Sequence, residues 1–248
     1  MNKIIILIVL LVFSLRFSHS QHVLVEYKAI SNGKLIEKLP GEKNSDVVDD
    51  LNKTFEFVNY MTMYLKANKY ESRYWGNNSM SSDLDGRYIK YANQLVEGDR
   101  IYHTDLKKRI KSKWLNFIDK DYIIQDSILI DNWTLYKENK YIDKYLCYKA
   151  ETFYEVSTKK GIVKKLVVAW YTIDIPYRHG PRGFASLPGL ILELTDKKIT
   201  LVAKKIQFKK FNNEISPLPK GEIMTKDEFN ELLEEAVASK RNEKYIRN

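Results

Sequence analysis

Residues 169–194 read AWYTIDIPYRHGPRGFASLPGLILEL, and this stretch decides how the rest of the sequence is interpreted. It holds three of the six prolines and three of the ten glycines of the chain, between two apolar runs. Pro176 has no backbone N–H and therefore cannot donate a hydrogen bond within a central strand. Gly180-Pro181 and Pro188-Gly189 are turn dipeptides. The pattern predicts two strands joined by a rigid crossover. The crossover carries three basic residues, Arg178, His179 and Arg182.

The sequence on both sides of this crossover is typical of antiparallel β-structure. Alternating, β-branched and aromatic residues mark further strands, at residues 22–30, 54–65, 122–130, 132–136, 146–156, 162–175, 190–194 and 199–208. Lys159-Lys160-Gly161 predicts a hairpin turn between two of them. Residues 46–52 fit a helix or an irregular crossing, and residues 106–117 fit a helix or a strand.

The C-terminal segment has the pattern of a helix. Thr225-Lys226-Asp227-Glu228 fits a capping box, in which the threonine hydroxyl and the glutamate carboxylate each satisfy a backbone N–H. One apolar stripe at helical spacing follows, at Phe229, Leu232, Leu233 and Val237. The sequence therefore predicts a mainly β fold of the α+β class. We expect a single antiparallel sheet, curved into a half-barrel or sandwich-like, with a C-terminal α-helix at about residues 225–241. Five residues are expected in the core: Trp170, Tyr171, Phe184, Leu190 and Leu192.

The first twenty residues predict export from the cytoplasm as a signal peptide. An apolar run at residues 4–13 is too short to span a bilayer. Ser18 and Ser20 are small residues suited to cleavage before Gln21. An uncleaved N-terminal anchor is the alternative. The expected product is a single β-rich domain at residues 21–248, in the periplasm or cell envelope or secreted, with no membrane span after cleavage.

Charge and cysteine content limit the possible partners and chemistry. The chain has 41 basic and 32 acidic residues, a net charge of +9, and loss of Lys3 and Arg16 with the signal peptide leaves 39 − 32 = +7. This excess favours anionic partners, although we expect no nucleic-acid partner for an exported protein. Cys147 is the only cysteine, so no disulfide within the chain is possible. Its apolar neighbours favour burial over a role as a nucleophile.

The crossover resembles the hexapeptide that names the GLPGLI family of exported bacterial proteins, at Ser186-Leu187-Pro188-Gly189-Leu190-Ile191. Other elements of that family's pattern precede it in order, at Cys147-Tyr148-Lys149-Ala150, Ala169-Trp170-Tyr171-Thr172, Ile175-Pro176, Gly180-Pro181 and Phe184. The resemblance implies export, envelope residence and a β-rich fold, with no established activity, cofactor or catalytic residue.

The chain departs from the family pattern at two places. Ser186 stands where the family has glycine, which questions any backbone geometry with a positive φ at this position. The charged residues 159–165 replace a short Gly-Arg pattern, which predicts a longer hairpin.

A direct search for chemistry finds no catalytic signature. Nucleophile-elbow, zinc-protease, phosphate-loop and dinucleotide motifs are absent from the sequence. His22, His103 and His179 have no ligand spacing on one element. Residues 81–86 imitate the start of a calcium loop, but Ala92 occupies the position that requires a glutamate. We therefore expect no cofactor and no metal site. A copper site made by the new N-terminal amine and His22 is the alternative.

Three functions are open. The first is a non-enzymatic binding or structural component of the envelope, in which Arg178, His179 and Arg182 bind an anionic ligand or another envelope protein. In its structural version the crossover only closes the fold. The second is a hydrolase of envelope polymers with Asp174 and Glu193 as paired carboxylates. The third is a carrier of a lipid or another apolar ligand in an internal cavity. The first is favoured.

Overall fold

A computed structural model describes most of the chain, namely residues 22–32, 45–77, 86–127, 132–158, 161–209 and 215–246. The predicted signal peptide, its cleavage site and residues 81–85 of the calcium-like stretch lie outside the described residues. So do Lys159 and Lys160 of the predicted hairpin turn. Within the described part of the chain, no helix has the length and apolar character needed to cross a membrane.

The described residues form one twelve-stranded sheet. Its strands are β1 (His22–Ser31), β2 (Thr62–Ala67), β3 (Glu71–Gly76), β4 (Ile101–Asp105), β5 (Ile110–Phe117), β6 (Lys120–Ser127), β7 (Thr134–Ile142), β8 (Tyr145–Thr158), β9 (Gly161–Thr172), β10 (Leu190–Asp196), β11 (Ile199–Lys209) and β12 (Glu222–Thr225). Their order across the sheet is β12-β6-β5-β4-β3-β2-β1-β11-β10-β9-β8-β7. Neighbours are antiparallel, except that β12 runs parallel to β6. The sheet is open, with β12 and β7 at its two edges. The predicted mainly β fold around one antiparallel sheet is confirmed.

The first strand joins the two halves of this sheet. One edge of β1 pairs with β2, which begins the run from β2 to β6, and its other edge pairs with β11, which ends the run from β7. Val23, Val25 and Tyr27 occupy alternate positions and are fully buried on one side of the strand. The Tyr27 hydroxyl donates a hydrogen bond to the carbonyl oxygen of Ile191 at 2.6 Å. The N-terminal strand is therefore bonded directly to the start of β10.

The predicted strand at residues 54–65 is wrong over its first half. Residues 54–58 belong to helix α1 (Ser45–Val58), and β2 begins only at Thr62. Within the helix, the hydroxyl of Thr54 donates to the carbonyl oxygen of Asp50 at 2.8 Å, and Val58 is fully buried in the core. Packing of this helical face overrides the β-propensity of the sequence. The helix that residues 46–52 allowed is thereby confirmed.

Two further segments have a defined structure that the sequence left open or did not predict. Residues 106–117 divide into a turn, where Arg109 has a φ of 58°, and the strand β5. A second helix, α2 (Gly86–Leu95), precedes β4 and packs against α1. Its Tyr88 ring stacks on Phe57 of α1 with the two centroids 6.0 Å apart.

The C-terminal helix begins with the predicted capping box. The Thr225 N–H donates to Glu228 Oε2 at 2.7 Å, and the Glu228 N–H donates to Thr225 Oγ1 at 3.3 Å. Helix α3 (Lys226–Ile246) then packs Phe229 edge-on against Phe117 and Tyr122. Val237 is 51% exposed. The apolar stripe therefore contacts the sheet only along its N-terminal part.

Three of the five predicted core residues are buried, namely Tyr171, Leu190 and Leu192. Trp170 and Phe184 are only partly buried. Lysine ammonium groups lie over both of these rings, 4.4 Å from the Trp170 centroid for Lys140 and 4.9 Å from the Phe184 centroid for Lys111. Each ring thus forms a cation–π contact at the surface and also packs against the buried core.

Close backbone contacts explain the glycine pattern of the hexapeptide. A Cβ atom added at Gly189 would lie 1.8 Å from the carbonyl oxygen of Thr172, so the end of β9 and the start of β10 approach too closely for a side chain. Ser186, where the family pattern has glycine, has a φ of 75°. Glycine adopts this left-handed conformation without steric cost. The serine therefore keeps the backbone geometry that glycine favours.

Gly189→Ala is expected to lower the free energy of unfolding by about 3 kcal/mol or more, because β9 and β10 must separate to admit the methyl group. Gly86→Ala is the matched control, since a Cβ atom there meets nothing within 4 Å. That variant is expected to be neutral or slightly more stable, because alanine favours the helix. Urea unfolding followed by circular dichroism measures both. Equal midpoints for the two variants would contradict the close contact.

Candidate functional site

The crossover between β9 and β10 folds back on itself. A 3-10 turn at Pro181–Gly183 forms its centre, and an antiparallel bridge between His179 and Ala185 closes it. The Leu190 N–H donates to the carbonyl oxygen of Ile175, and the Ile191 N–H donates to that of His179, each at 3.0 Å. The crossover is therefore held to the first residues of β10 by its own backbone.

Arg182 lies in this turn and points into the protein. Only 6% of the residue is exposed. Its Nη1 donates to Asp196 Oδ2 at 3.0 Å, and its Nη2 donates to the carbonyl oxygen of Leu95 at 3.1 Å. The guanidinium thus connects the crossover with the end of β10 and the end of α2.

A second carboxylate, Glu97, belongs to the same charged group. Its Oε1 is 2.9 Å from Arg100 Nη1, and its Oε2 accepts a hydrogen bond from the Tyr102 hydroxyl. Burial alone would raise the pKa of Glu97, but Arg182, Arg100 and the Tyr102 hydroxyl hold it at about 2. We call Arg182, Asp196, Glu97 and Arg100 the ion cluster. Arg182 and Asp196 are buried, Glu97 and Arg100 are half-buried, and each carboxylate has a cationic partner.

The three basic crossover residues differ in their exposure to solvent. Arg178 is exposed, and its Nη2 donates to the carbonyl oxygen of Ser186 at 3.0 Å. His179 is fully buried, and this burial lowers its pKa to about 3, although the backbone of Asn68 favours the charged ring. Arg182 is bound within the ion cluster. Anion recognition by Arg178, His179 and Arg182 stays a prediction, and Arg178 alone of the three has an exposed side chain.

The remaining residues of the family pattern are mainly framework. Cys147 is buried, which raises the pKa of its thiol to about 11 and disfavours the nucleophilic thiolate. Lys149 Nζ lies 3.0 Å from Glu151 Oε1. A Cβ atom at Gly180 would lie 2.6 Å from the side chain of Ile191. Four apolar members are buried, namely Ala150, Leu187, Leu190 and Ile191.

The two carboxylates predicted for hydrolysis have different surroundings. Glu193 of β10 forms an ion pair with Lys140 of β7, in which Glu193 Oε2 lies 2.7 Å from Lys140 Nζ. Asp174 is exposed in the turn after β9, where its N–H donates to Thr172 Oγ1 at 3.3 Å. Both carboxylates lie near enough to Cys147 to raise the pKa of its thiol, in addition to the larger effect of burial. Their pairing for hydrolysis stays a prediction.

A surface groove of about 380 Å³ crosses the strands β2 to β5. Its lining consists of Lys66, Arg73, Trp75, Gly76, Gly98, Asp99, Ile101, Trp114 and Ser216, and we call it the tryptophan groove. Trp75 of β3 lies directly opposite Ile101 of β4, and Ile101 lies directly opposite Trp114 of β5. Successive side chains of a strand alternate between faces. The groove and the ion cluster therefore lie on opposite faces of the same strands.

Contacts within the protein hold the side chains of the tryptophan groove in place. The Trp75 ring stacks on Tyr64 with centroids 5.7 Å apart and 28° between the planes. Arg73 Nη1 donates to the carbonyl oxygen of Ser216 at 2.9 Å, and Trp114 Nε1 donates to that of Lys220 at 3.3 Å. The segment that precedes β12 thus forms one wall of the groove. These contacts hold both tryptophan rings in place.

Sequence reasoning missed the groove. The alternation of Arg73 and Trp75 on one strand is a usable signal that the two share a face. No local pattern, however, indicates which residues of β2, β4 and β5 lie beside them. Their assembly depends on the pairing register of four strands.

One family model matches a short part of the chain. It is described as "Protein of unknown function (Porph_ging)" and matches residues 159–193, which include the crossover. The description does not use the GLPGLI name, so that name stays a prediction. No curated protein sequence matches the chain.

Solved structures of PNGF-II resemble the fold. The structure in a P21 crystal form has a TM-score of 0.50 and 14% sequence identity, and the match covers 84% of this chain and 32% of that chain. The structure in a C2 form has a TM-score of 0.48 at the same identity, with 84% and 31% covered. The chain thus spans about a third of the protein that it matches. At this identity the likeness concerns the fold alone.

Arg182→Met is expected to lower the free energy of unfolding by roughly 3 to 5 kcal/mol, because it leaves the buried carboxylate of Asp196 without its cationic partner. Arg178→Met is the matched control and is expected to change stability by less than about 0.5 kcal/mol, since that side chain is exposed. Urea unfolding of both variants measures the difference. A similar loss in both would contradict the distinction between a buried and an exposed guanidinium.

Lowering the pH is expected to destabilise the protein through His179. Its pKa is about 3 in the folded protein against an ordinary value of 6.5, so between these values the unfolded chain binds a proton that the folded chain does not. The contribution of His179 is therefore complete above pH 6.5 and is lost as the pH falls from 6.5 toward 3. Urea unfolding between about pH 7.5 and pH 5, above the ordinary carboxylate range, measures this slope.

His179→Gln is expected to remove most of the slope. His103→Gln is the control, because burial lowers the pKa of His103 in the same direction although that ring is only partly buried. It is expected to remove a smaller part. An unchanged slope in His179→Gln would contradict a buried neutral imidazole.

Proposed function

We propose that the protein is an exported, non-enzymatic binding component of the cell envelope and that the tryptophan groove is its binding surface. The observation that carries this proposal is the juxtaposition of Trp75, Ile101 and Trp114 across three adjacent strands, with Lys66 and Arg73 beside them. An apolar floor with a few polar groups at its rim is typical of ligand sites.

The chemistry of the groove favours binding over hydrolysis. Asp99 is its only carboxylate among the described lining residues, whereas acid–base hydrolysis of a polymer uses a pair. The groove is also a surface feature of an open sheet, which suits an extended ligand better than an enclosed apolar molecule. These features favour a binding protein over the hydrolase and the lipid carrier.

The proposal includes the finer predictions from the sequence. It places the mature chain from Gln21 in the periplasm or outside the cell, on the strength of the N-terminal pattern. It assigns the chain to the GLPGLI-type proteins and treats the sheet as curved, since sheets of many strands twist. The expected partner is an anionic envelope ligand or another envelope protein.

A retention experiment tests the groove as the binding surface. The full chain, the double variant Trp75→Ala/Trp114→Ala and the control Trp170→Ala are immobilised and incubated with a solubilised envelope fraction. Trp170 is the matched control because it is a partly buried tryptophan outside the groove, covered by Lys140. We expect the wild type and Trp170→Ala to retain the same sugar, lipid or peptide material, identified by mass spectrometry. The double variant is expected to lose it.

Circular dichroism and urea unfolding confirm that each variant is folded before the comparison. Equal retention by all three proteins, or retention by none, would overturn the groove as the binding surface.

A further inference from the structure

The distance between Trp75 and Trp114 restricts which ligands can contact both rings. Trp75 and Trp114 lie in register on strands separated only by β4. Neighbouring strands are roughly 4.8 Å apart, so the two residues are roughly 10 Å apart on one face. Ile101 lies midway between them. The floor therefore presents an aromatic, an aliphatic and an aromatic group at regular intervals.

The floor formed by Trp75, Ile101 and Trp114 fits a linear chain of sugar rings. Each pyranose ring of a polysaccharide has a face of C–H groups that packs against an aromatic ring. In an extended β-1,4-linked chain, successive rings are turned over, and alternate rings present the same face at a repeat of about two strand spacings. Trp75 and Trp114 can then stack on two rings that are separated by one intervening ring, and Ile101 contacts that intervening ring.

The charges beside the floor favour an acidic chain. Lys66 and Arg73 line the groove. The guanidinium of Arg73 has five N–H donors, and its Nη1 donates to the carbonyl oxygen of Ser216 in the groove wall. Asp99 is the opposing charge, and its Oδ1 lies 3.7 Å from Arg100 Nε, which reduces its repulsion of an anion. Lys66 and Arg73 are thus complementary to a sugar chain that carries carboxylates beside the apolar faces of its rings.

From this geometry we propose that the tryptophan groove binds an acidic, extended β-1,4-linked polysaccharide. The proposal rests on the binding function proposed above and names its ligand class. The floor loses little side-chain freedom on binding, because Tyr64 and the carbonyl oxygen of Lys220 already hold the rings of Trp75 and Trp114. A single-stranded nucleic acid is the other polymer that stacks on aromatic floors beside cations. It is therefore tested as the competing ligand.

Titration of the full chain with four probes tests the ligand class. A β-1,4-linked mannuronate hexasaccharide has the proposed linkage and charge, cellohexaose has the linkage alone, and an α-1,4-linked galacturonate hexasaccharide has the charge alone. The fourth probe is a thymidine oligonucleotide. We expect the mannuronate hexamer to bind most tightly by calorimetry, roughly tenfold better than either hexamer that lacks one feature. Its affinity should fall as NaCl rises from about 50 to 500 mM.

Variants assign the binding to the groove. Trp75→Ala and Trp114→Ala are each expected to weaken mannuronate binding roughly tenfold, the effect of losing one stacked aromatic ring. Trp75→Phe and Trp114→Phe keep an aromatic face and should retain most of the affinity. Lys66→Gln should weaken binding of the mannuronate hexamer but not of cellohexaose. Trp170→Ala should bind as the wild type does.

Each contrary outcome has a distinct meaning. Equal or tighter binding of the galacturonate hexamer or the oligonucleotide overturns the proposed ligand class. Unchanged mannuronate binding in the folded tryptophan variants overturns the site. If no hexasaccharide binds while envelope material is still retained through Trp75 and Trp114, the ligand class fails and the binding function stands. If neither occurs, both proposals fail.

Discussion

The buried guanidinium of Arg182 is the interaction on which the rest of the structure depends. A charge removed from water is tolerated only when carboxylates and carbonyl oxygens compensate it closely. Here they come from Asp196 at the end of β10, from Glu97 before β4 and from the backbone of Leu95 in α2. Apolar packing tolerates small displacements, whereas hydrogen bonds to a planar guanidinium require a narrow geometry. The ion cluster therefore sets where the crossover, β10 and the α2–β4 turn lie relative to one another.

The proline- and glycine-rich pattern of the crossover follows from this requirement. The chain must turn inward to bring Arg182 to the cluster and then outward to begin β10. Arg182, Gly183 and Ser186 have φ angles of 54°, 71° and 75°, of which only the glycine is free of the roughly 1 kcal/mol that other residues lose there. Partners that bind Arg182 from several segments can offset this cost. The same turn brings Gly189 against Thr172, where no side chain fits.

Much of the fold could be predicted because its signals are local. The capping box at Thr225 and the alternation along β1 depend only on neighbouring residues. Residues 54–58 were mispredicted because their aromatic and β-branched side chains suit a strand, while helical packing in the tertiary structure decides otherwise. The basic crossover is predicted to bind a ligand because loops usually lie at the surface and carry function. Its carboxylate partner Glu97 comes from a distant segment, and no sequence pattern links it to Arg182.

The groove and the ion cluster are coupled by the alternation of β-strands. Tyr74 and Trp75 are neighbours on β3 that face opposite sides, as are Lys113 and Trp114 on β5. Tyr74 and Lys113 lie in the field of the ion cluster, while the two tryptophans line the groove. The α2–β4 turn also contributes to both faces, with Glu97 in the cluster and Asp99 in the groove. A strand cannot move one row of side chains without moving the other. The two tryptophans therefore keep their position relative to the ion cluster, while the pairing of β3, β4 and β5 sets the distance between them.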